Sequence, residues 1–99
     1  MTRWLTVIMF VFCGATVLAD ALGNLFHSAE GGDARSQYEI GQAYYLGEEI
    51  YKDNAEATKW YRLAAEQGLA SAQHSLGYMY FFGEGIAENK TEAVKWYRL

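Results

Sequence analysis

The sequence predicts an all-α fold, a right-handed α-solenoid of antiparallel helix pairs preceded by a signal peptide. The stretch KWYRL occurs at residues 59–63 and again at 95–99, within a repeat whose period is 36 residues. Self-similarity at a period of about 20–50 residues is the mark of a solenoid. Inside each repeat, apolar and small residues recur at spacings of three and four, which is typical of amphipathic helices.

The repeat is extensive. When residues 28–63 are placed against residues 64–99, seventeen of the 36 positions are identical. The identical residues of the first copy are Ala29, Glu30, Gly32, Ala34, Gln37, Gly41, Tyr44, Gly47, Glu48, Ile50, Glu56, Ala57, Lys59, Trp60, Tyr61, Arg62 and Leu63. Two units of the same structure are therefore expected.

Each unit is predicted to hold two helices, which we call helix A and helix B. Helix A covers about residues 34–46 and 70–82, and Gly47 ends the first of them, as glycine commonly does beyond a last turn. Helix B covers about residues 54–67 and begins again near residue 90. Asp53 and Asn89 are predicted to cap the two helices B, each followed three positions later by a glutamate, as in a capping box.

Small residues in the middle of these helices predict close contacts between backbones. A glycine inside a helix costs about 1 kcal/mol relative to alanine. Gly41 and Gly77 stand at the same phase of the two helices A, so a neighbour is expected to need the space. The predicted buried stripe of the first helix B is Ala57, Trp60, Tyr61, Ala64 and Ala65. Glu49 stands where the second copy has Gly85, and a positive φ there would cost on the order of 1 kcal/mol.

These residues resemble the Sel-1-like repeat, a relative of the tetratricopeptide repeat. The family motif runs roughly A-x-A-Q-x-x-L-G-x-x-Y-x-x-G-x-G-V-x-x-D, followed by A, W-[FY] and A-A-x-x-G. The first unit matches it with Ala34, Gln37, Ile40, Gly41, Tyr44, Gly47, Ile50, Asp53, Ala57, Trp60, Tyr61, Ala64, Ala65 and Gly68. The second matches it with Ala70, Ala72, Gln73, Leu76, Gly77, Tyr80, Gly83, Gly85, Ile86, Asn89, Ala93, Trp96 and Tyr97.

The resemblance implies an organisation for the whole chain. Residues 33–68 form a first repeat and residues 69–99 an incomplete second one. Residues 20–32 look like a worn helix B without its tryptophan, as expected of an N-terminal capping helix. The chain stops before a second AAEQG, so we expect a fragment of a longer array. The alternative is that Trp96 is buried against a second copy of the protein, by self-association through the unfinished C-terminal repeat.

Residues 1–19 have the layout of a secretory signal peptide. Arg3 precedes an almost wholly apolar run, and small residues stand where a signal peptidase cleaves. Cleavage is expected after Ala19, with Ala21 as second choice, which makes the protein secreted or periplasmic. The alternative is an uncleaved anchor, although the apolar run is shorter than the roughly 20 residues of a spanning helix. After cleavage no stable membrane insertion is expected.

Composition narrows the function. Without residues 1–19 the chain keeps seven Lys and Arg against twelve Asp and Glu and no cysteine. This balance argues against nucleic acid, which attracts clusters of Lys and Arg. No arrangement of nucleophile and base or of zinc ligands is evident, so we expect no catalytic residue, metal or cofactor. Ser71 and His74 share a helix face but are interpreted as ordinary surface residues.

The resemblance implies a non-enzymatic scaffold or adaptor that binds another protein or a peptide. In the tetratricopeptide class, helix A lines the concave surface. The side chains predicted to face that groove are Arg35, Tyr38, Gln42, Tyr45, Ser71, His74, Tyr78 and Phe81. Packing between layers is an equal alternative for the aromatic ones. Lys59, Arg62, Lys95 and Arg98 are expected on a solvated outer face.

Two other functions stay open. One is a secreted hydrolase of the β-lactamase-like type, an activity linked to some cysteine-rich secreted members of the family, although this sequence lacks their paired cysteines. The other is no function of its own, with the chain an inert remnant of a longer repeat protein.

Overall fold

The computed structural model describes residues 20–99, and the predicted signal peptide lies outside them. This part of the chain contains five helices and no strand. The helices are α1 (20–30), α2 (Ala34–Leu46), α3 (Asn54–Glu66), α4 (Ala70–Phe82) and α5 (Lys90–Tyr97). The all-α solenoid of helix pairs is confirmed: α2 and α4 are the helices A, and α3 and α5 are the helices B.

The helix ends lie where the repeat predicts them. Asp53 and Asn89 accept hydrogen bonds from the backbone N–H of Glu56 and Glu92, each at 3.1 Å, so both predicted caps are confirmed. Gly47 ends α2 with φ 72°, a left-handed conformation that glycine adopts without steric cost. The first helix B ends at Glu66, one residue earlier than predicted, because Gln67 already forms the turn.

The capping box is only half formed. The side chain of Glu56 accepts a hydrogen bond from Lys59 at 3.1 Å instead of returning to the backbone of Asp53. The Asp53 N–H has another acceptor, the Tyr44 carbonyl at 3.0 Å. This bond closes the A–B loop back onto helix A, so the backbone donor that a capping box would use is already satisfied.

The two helices of a unit meet at glycine. A Cβ added to Gly41 would lie 2.7 Å from two ring carbons of Tyr61, and one added to Gly77 would lie 2.9 Å from Cε1 of Tyr97. Real Cβ atoms do not come so close, so each glycine gives a tyrosine of helix B its place. The prediction that a neighbouring group needs the space beside Gly41 and Gly77 is therefore confirmed. The surrounding core is made largely of small residues, with Ile40, Leu76 and Met79 as its largest fully buried side chains.

Consecutive units dock through a repeated hydrogen bond. Gln37 Nε2 donates to the Ala29 carbonyl at 3.1 Å, and Gln73 Nε2 donates to the Ala65 carbonyl at 3.2 Å. The two bonds are 36 residues apart at both ends, so α1 lies on α2 as α3 lies on α4. Gln37 is buried, and an unpaired amide there would cost about 1–3 kcal/mol.

Trp60 is half-buried rather than part of the fully buried stripe, whose other four members are buried. Its ring meets Phe26 of α1 edge to face at 6.1 Å between centroids, and Phe26 also meets Tyr44 at 6.3 Å. Arg62 stands 36 residues after Phe26. Its guanidinium lies 5.5 Å from the Tyr80 ring centroid and donates to the Tyr80 hydroxyl. The expectation that Arg62 belongs to a solvated face was wrong, because it takes the place that Phe26 fills one unit earlier.

Candidate binding groove between the units

A groove opens where α4 docks on the first helix pair. Its volume is about 240 Å³. We call it the aromatic groove, and it is lined by Tyr45, Tyr61, His74, Ser75, Tyr78 and Met79. Helix A of each unit supplies its walls and Tyr61 of α3 lies between them. Three phenols, an imidazole and a serine hydroxyl therefore surround a space with the buried Met79 beside it.

A second groove occupies the equivalent place one unit earlier. Its volume is about 390 Å³. We call it the acidic groove, and it is lined by Ala21, Leu22, Leu25, Glu39, Gln42, Ala43, Leu46, Glu48 and Glu49. Shifting Leu25, Glu39, Gln42 and Ala43 by 36 residues gives Tyr61, Ser75, Tyr78 and Met79 of the aromatic groove. The solenoid thus repeats one depression between successive units and changes its lining from aliphatic and acidic to aromatic.

The predicted site residues separate into several groups. Tyr45, His74 and Tyr78 come together in the aromatic groove, and Gln42 lines the acidic groove. Gln42 Nε2 donates to the Tyr38 hydroxyl at 3.0 Å, and the Tyr38 ring packs on Tyr61 at 5.7 Å between centroids.

Four of the eight predicted residues, Tyr38 and the three described next, are not in the lining of either groove. Arg35 is exposed and its Nε lies 3.4 Å from Oε1 of Glu39. Ser71 is also exposed. Phe81 packs against Phe82 at 4.9 Å between ring centroids, and the Lys90 ammonium lies 5.4 Å from the centroid of the Phe81 ring.

Three lining residues of the aromatic groove were not among the predicted site residues. Ser75 lies four positions after Ser71 and three before Tyr78, on the same stripe of α4, so helical spacing could have found it. Met79 follows Ser75 by four. Tyr61 was assigned to the interior of the helix pair, where it does contact Gly41, but its ring also reaches the groove.

Two phenols of the groove, those of Tyr45 and Tyr61, are held in their protonated form. The ring of Tyr45 stands at 89° to that of Tyr78, with 6.4 Å between centroids. A hydrogen bond with Tyr78, burial and the nearby carboxylate of Glu84 raise the pKa of Tyr45 to about 12. Burial also raises the pKa of Tyr61. Near neutral pH the side chains of Tyr45 and Tyr61 therefore offer hydroxyl groups and uncharged rings.

The α4–α5 loop places Glu84 near this groove. A Cβ on Gly85 would collide with the Asn54 carbonyl, so the loop lies directly against the start of α3. Thr58 Oγ1 donates to the Asn54 carbonyl at 2.9 Å and reaches the Glu84 carbonyl at 3.4 Å. Gly85 has φ 71° and Glu49 at the equivalent position has φ 63°, so the predicted positive φ is confirmed for both.

Among residues 20–99, no three His, Cys, Asp or Glu side chains are grouped so that they could hold a metal ion. Over the same residues, no helix has the length and apolar character needed to cross a membrane.

Comparison with known proteins decides the family. The model of the Sel1 repeat matches residues 34–69 and 70–99. The chain belongs to the Sel1 repeat family. Sel1 repeat proteins typically mediate protein–protein interaction, and the family is generally one of non-enzymatic repeat scaffolds.

Two relatives are similar to the chain, one in sequence and the other in both sequence and structure. The chain is 40% identical over 69 residues to the secretory immunoglobulin A-binding protein EsiB of Escherichia coli O6:H1, covering 65% of this chain and 14% of EsiB. It is 38% identical to a Sel1 repeat protein from Oxalobacter formigenes, with a TM-score of 0.74, over 75% of this chain and 56% of that one. It thus spans a small part of EsiB and about half of the Oxalobacter protein.

A more distant structural neighbour is Helicobacter pylori cysteine rich protein B. The TM-score is 0.78 at 24% identity, over 81% of this chain and 60% of that one. At this identity the likeness shows the fold alone.

Proposed function

We propose that the chain is exported and acts as a non-enzymatic scaffold that binds an extended segment of another protein through its helix-A face. The aromatic groove is the main contact. The family supports the class of function, because Sel1 repeats typically bind other proteins. The organisation into an N-terminal capping helix at 20–32 and repeats at 33–68 and 69–99 belongs to the same proposal.

The observation that carries the proposal is the meeting of Tyr45, Tyr61 and Tyr78 around one open groove of about 240 Å³. Tyrosine is enriched at energetic hot spots because it offers a large apolar ring, a polar tip and little conformational entropy to lose. A groove of this size receives one side chain of a partner. Its repetition in the acidic groove offers a second point of attachment along the same path, which suits an extended segment.

Selection from a displayed library of random peptides tests the proposal. Peptides enriched on the purified chain are measured for affinity to it and to Ser75→Phe, a change that fills the aromatic groove with a new ring. We expect at least tenfold weaker binding by the variant. Lys59→Ala on the exposed side of α3 is the matched control and should bind as the parent chain does. Equal binding by all three proteins would contradict the proposal.

EsiB supplies a defined first probe, because its name states that it binds secretory immunoglobulin A. Binding of that immunoglobulin to this chain, lost in Ser75→Phe, would identify the partner class.

Export and the absence of catalysis have their own tests. The chain is produced in a bacterium with an intact export system, and its mass is measured. We expect the mass of a chain that begins at Asp20. The mass of a chain that retains residue 1 would favour a membrane anchor. Nitrocefin is expected to stay intact in the presence of the chain. Turnover of nitrocefin would instead support the β-lactamase-like alternative.

A further inference from the structure

We infer that the aromatic groove takes a basic side chain, an arginine or a lysine carried by an extended segment of the partner protein. The inference rests on the proposed function and names the chemistry of its ligand. It depends on three features: the ring surfaces of the groove, the carboxylates near it and along the same face, and the cations that the chain already places on its own rings.

The rings of the groove present the surface that attracts a cation. The negative face of an aromatic ring draws an ammonium or guanidinium group within about 6 Å of its centroid. Tyr45 and Tyr78 stand at 89° to each other, so a guest in the angle between them meets the face of one ring and the edge of the other. Tyr61 lines the same space. A planar guanidinium can stack on a face and donate to the phenol oxygens in the same position.

One carboxylate lies near the aromatic groove and three line the acidic groove. Glu84 lies close enough to the Tyr45 hydroxyl to act on it, and the docking of the α4–α5 loop on α3 fixes its backbone. The acidic groove, further along the same face, is lined by Glu39, Glu48 and Glu49. The chain as a whole carries a formal charge of −4. A basic segment is therefore attracted to this face and an acidic one is repelled.

The chain already stabilises cations on neighbouring rings. The ammonium of Lys52 lies 5.2 Å from the Tyr45 centroid, and the ammonium of Lys90 lies 5.4 Å from the Phe81 centroid. Lys52 is an exposed residue of the α2–α3 loop. It shows that the Tyr45 ring accepts a positive charge. Because like charges repel, a partner's basic group would replace the Lys52 ammonium there rather than sit beside it.

An uncharged occupant is the competing chemistry. Proline-rich segments also dock in grooves lined by aromatic rings, because their extended helix is already formed. Such a segment gains nothing from the carboxylates. The charge of the surroundings is what favours a basic residue over proline or leucine.

Three labelled peptides of one length separate these chemistries. They share a Gly-Ser frame and a central leucine, and differ in carrying arginine, proline or glutamate beside it. Fluorescence anisotropy with the full chain should give the arginine peptide a Kd at least tenfold below that of the glutamate peptide and several-fold below that of the proline peptide. Tighter binding of the proline or the glutamate peptide would overturn the inference.

Variants separate the attraction of the ring from simple apolar contact. Tyr78→Leu keeps an apolar wall without a ring and should weaken the arginine peptide about fivefold or more, while Tyr78→Phe should recover most of the affinity. Glu84→Gln should weaken it about threefold and reduce its dependence on salt. Glu66→Gln removes the same charge from an exposed site on α3 and serves as control. Thermal melts of each variant establish that it is folded.

The outcomes distinguish this inference from the proposed function. If Tyr78→Leu binds the arginine peptide as tightly as the parent chain, the groove does not read charge through its rings and the inference fails. If library peptides still depend on an open groove in that case, the proposed function stands. If no peptide responds to Ser75→Phe, both fail.

Discussion

A Cβ added to Gly41 would lie 2.7 Å from both Cδ1 and Cε1 of the Tyr61 ring, so the two helices of the first unit meet without room for a methyl group. Gly77 and Tyr97 stand in the same relation in the second unit, at 2.9 Å. The two tyrosines differ in freedom, since Tyr61 is buried and Tyr97 is 42% exposed. The glycine at this position of the repeat thus faces a tyrosine that is held in place in the first unit and one that can move in the second.

Alanine substitutions at Gly41 and Gly77 should have different effects on the free energy of unfolding. Gly41→Ala is expected to lower the free energy of unfolding by about 1–2 kcal/mol, because overpacking outweighs the gain in helix propensity. Gly77→Ala should cost less, because Tyr97 can turn outward. Gly23→Ala is the control, since a Cβ there meets nothing within 4 Å, and it should stabilise the chain. Urea unfolding followed by circular dichroism measures all three, and a Gly41→Ala chain as stable as Gly23→Ala would refute the packing argument.

The A–B loops give a second matched pair. Among residues 20–99, Glu49 is the one non-glycine residue with positive φ, at 63°. Glu49→Gly should raise the free energy of unfolding by about 1 kcal/mol, because glycine adopts this conformation without strain. Gly85→Ala should lower it by more than that, since the new Cβ would also meet the Asn54 backbone. Thermal melts of the two variants should move in opposite directions, and shifts of the same sign would contradict the account.

The cap at the start of α2 should make the free energy of unfolding depend on pH in the acidic range. Hydrogen bonds donated by the hydroxyl and the backbone N–H of Ser36 lower the pKa of Asp33. Because the folded pKa lies below the unfolded value of about 3.9, the stabilisation is present above that value and is lost as the pH falls through the folded pKa. Asp33→Asn keeps a capping side chain that does not titrate. Unfolding measured from about pH 6 to about pH 2 should therefore show a smaller loss for Asp33→Asn, and parallel curves would exclude this role.

Tyr45 should ionise late. Its folded pKa of about 12 exceeds the value of 10.0 for a free phenol. The stabilisation from this group is present below pH 10 and is lost as the pH rises toward 12. Titration followed by phenolate absorbance should show that Tyr45→Phe removes an ionisation with a midpoint near pH 12. Loss of an ionisation near pH 10 instead would mean that the hydroxyl is free in solvent.

Much of the fold could be predicted because the sequence marks its helix boundaries with residues of clear chemistry. Asp53, Asn89 and Gly47 stand at fixed places in the 36-residue period, and each acts locally, through its own backbone or the next turn. Arg62 was misplaced because its environment is set by another helix. Only the docking of α3 on α4 shows that Tyr80 lies within its reach.

The groove was predicted in part for the same reason. Tyr45, His74 and Tyr78 follow from helical phase, and Ser75 could have been added from the same stripe. Tyr61 could not be assigned, because its ring contacts Gly41 within its own unit and also reaches the space between units. Glu84 belongs to a loop, and its position depends on a glycine that lets two backbone segments touch.

Mapping a bound peptide on the chain by NMR tests the central claim most directly. The chain is labelled with ¹⁵N and titrated with a peptide taken from the library selection. The account predicts that the largest amide shift changes fall at the groove residues Tyr45, His74 and Tyr78. Changes centred instead on the far side of α3, at Lys59 and Leu63, would show that the partner binds another face and that the helix-A groove is not the site.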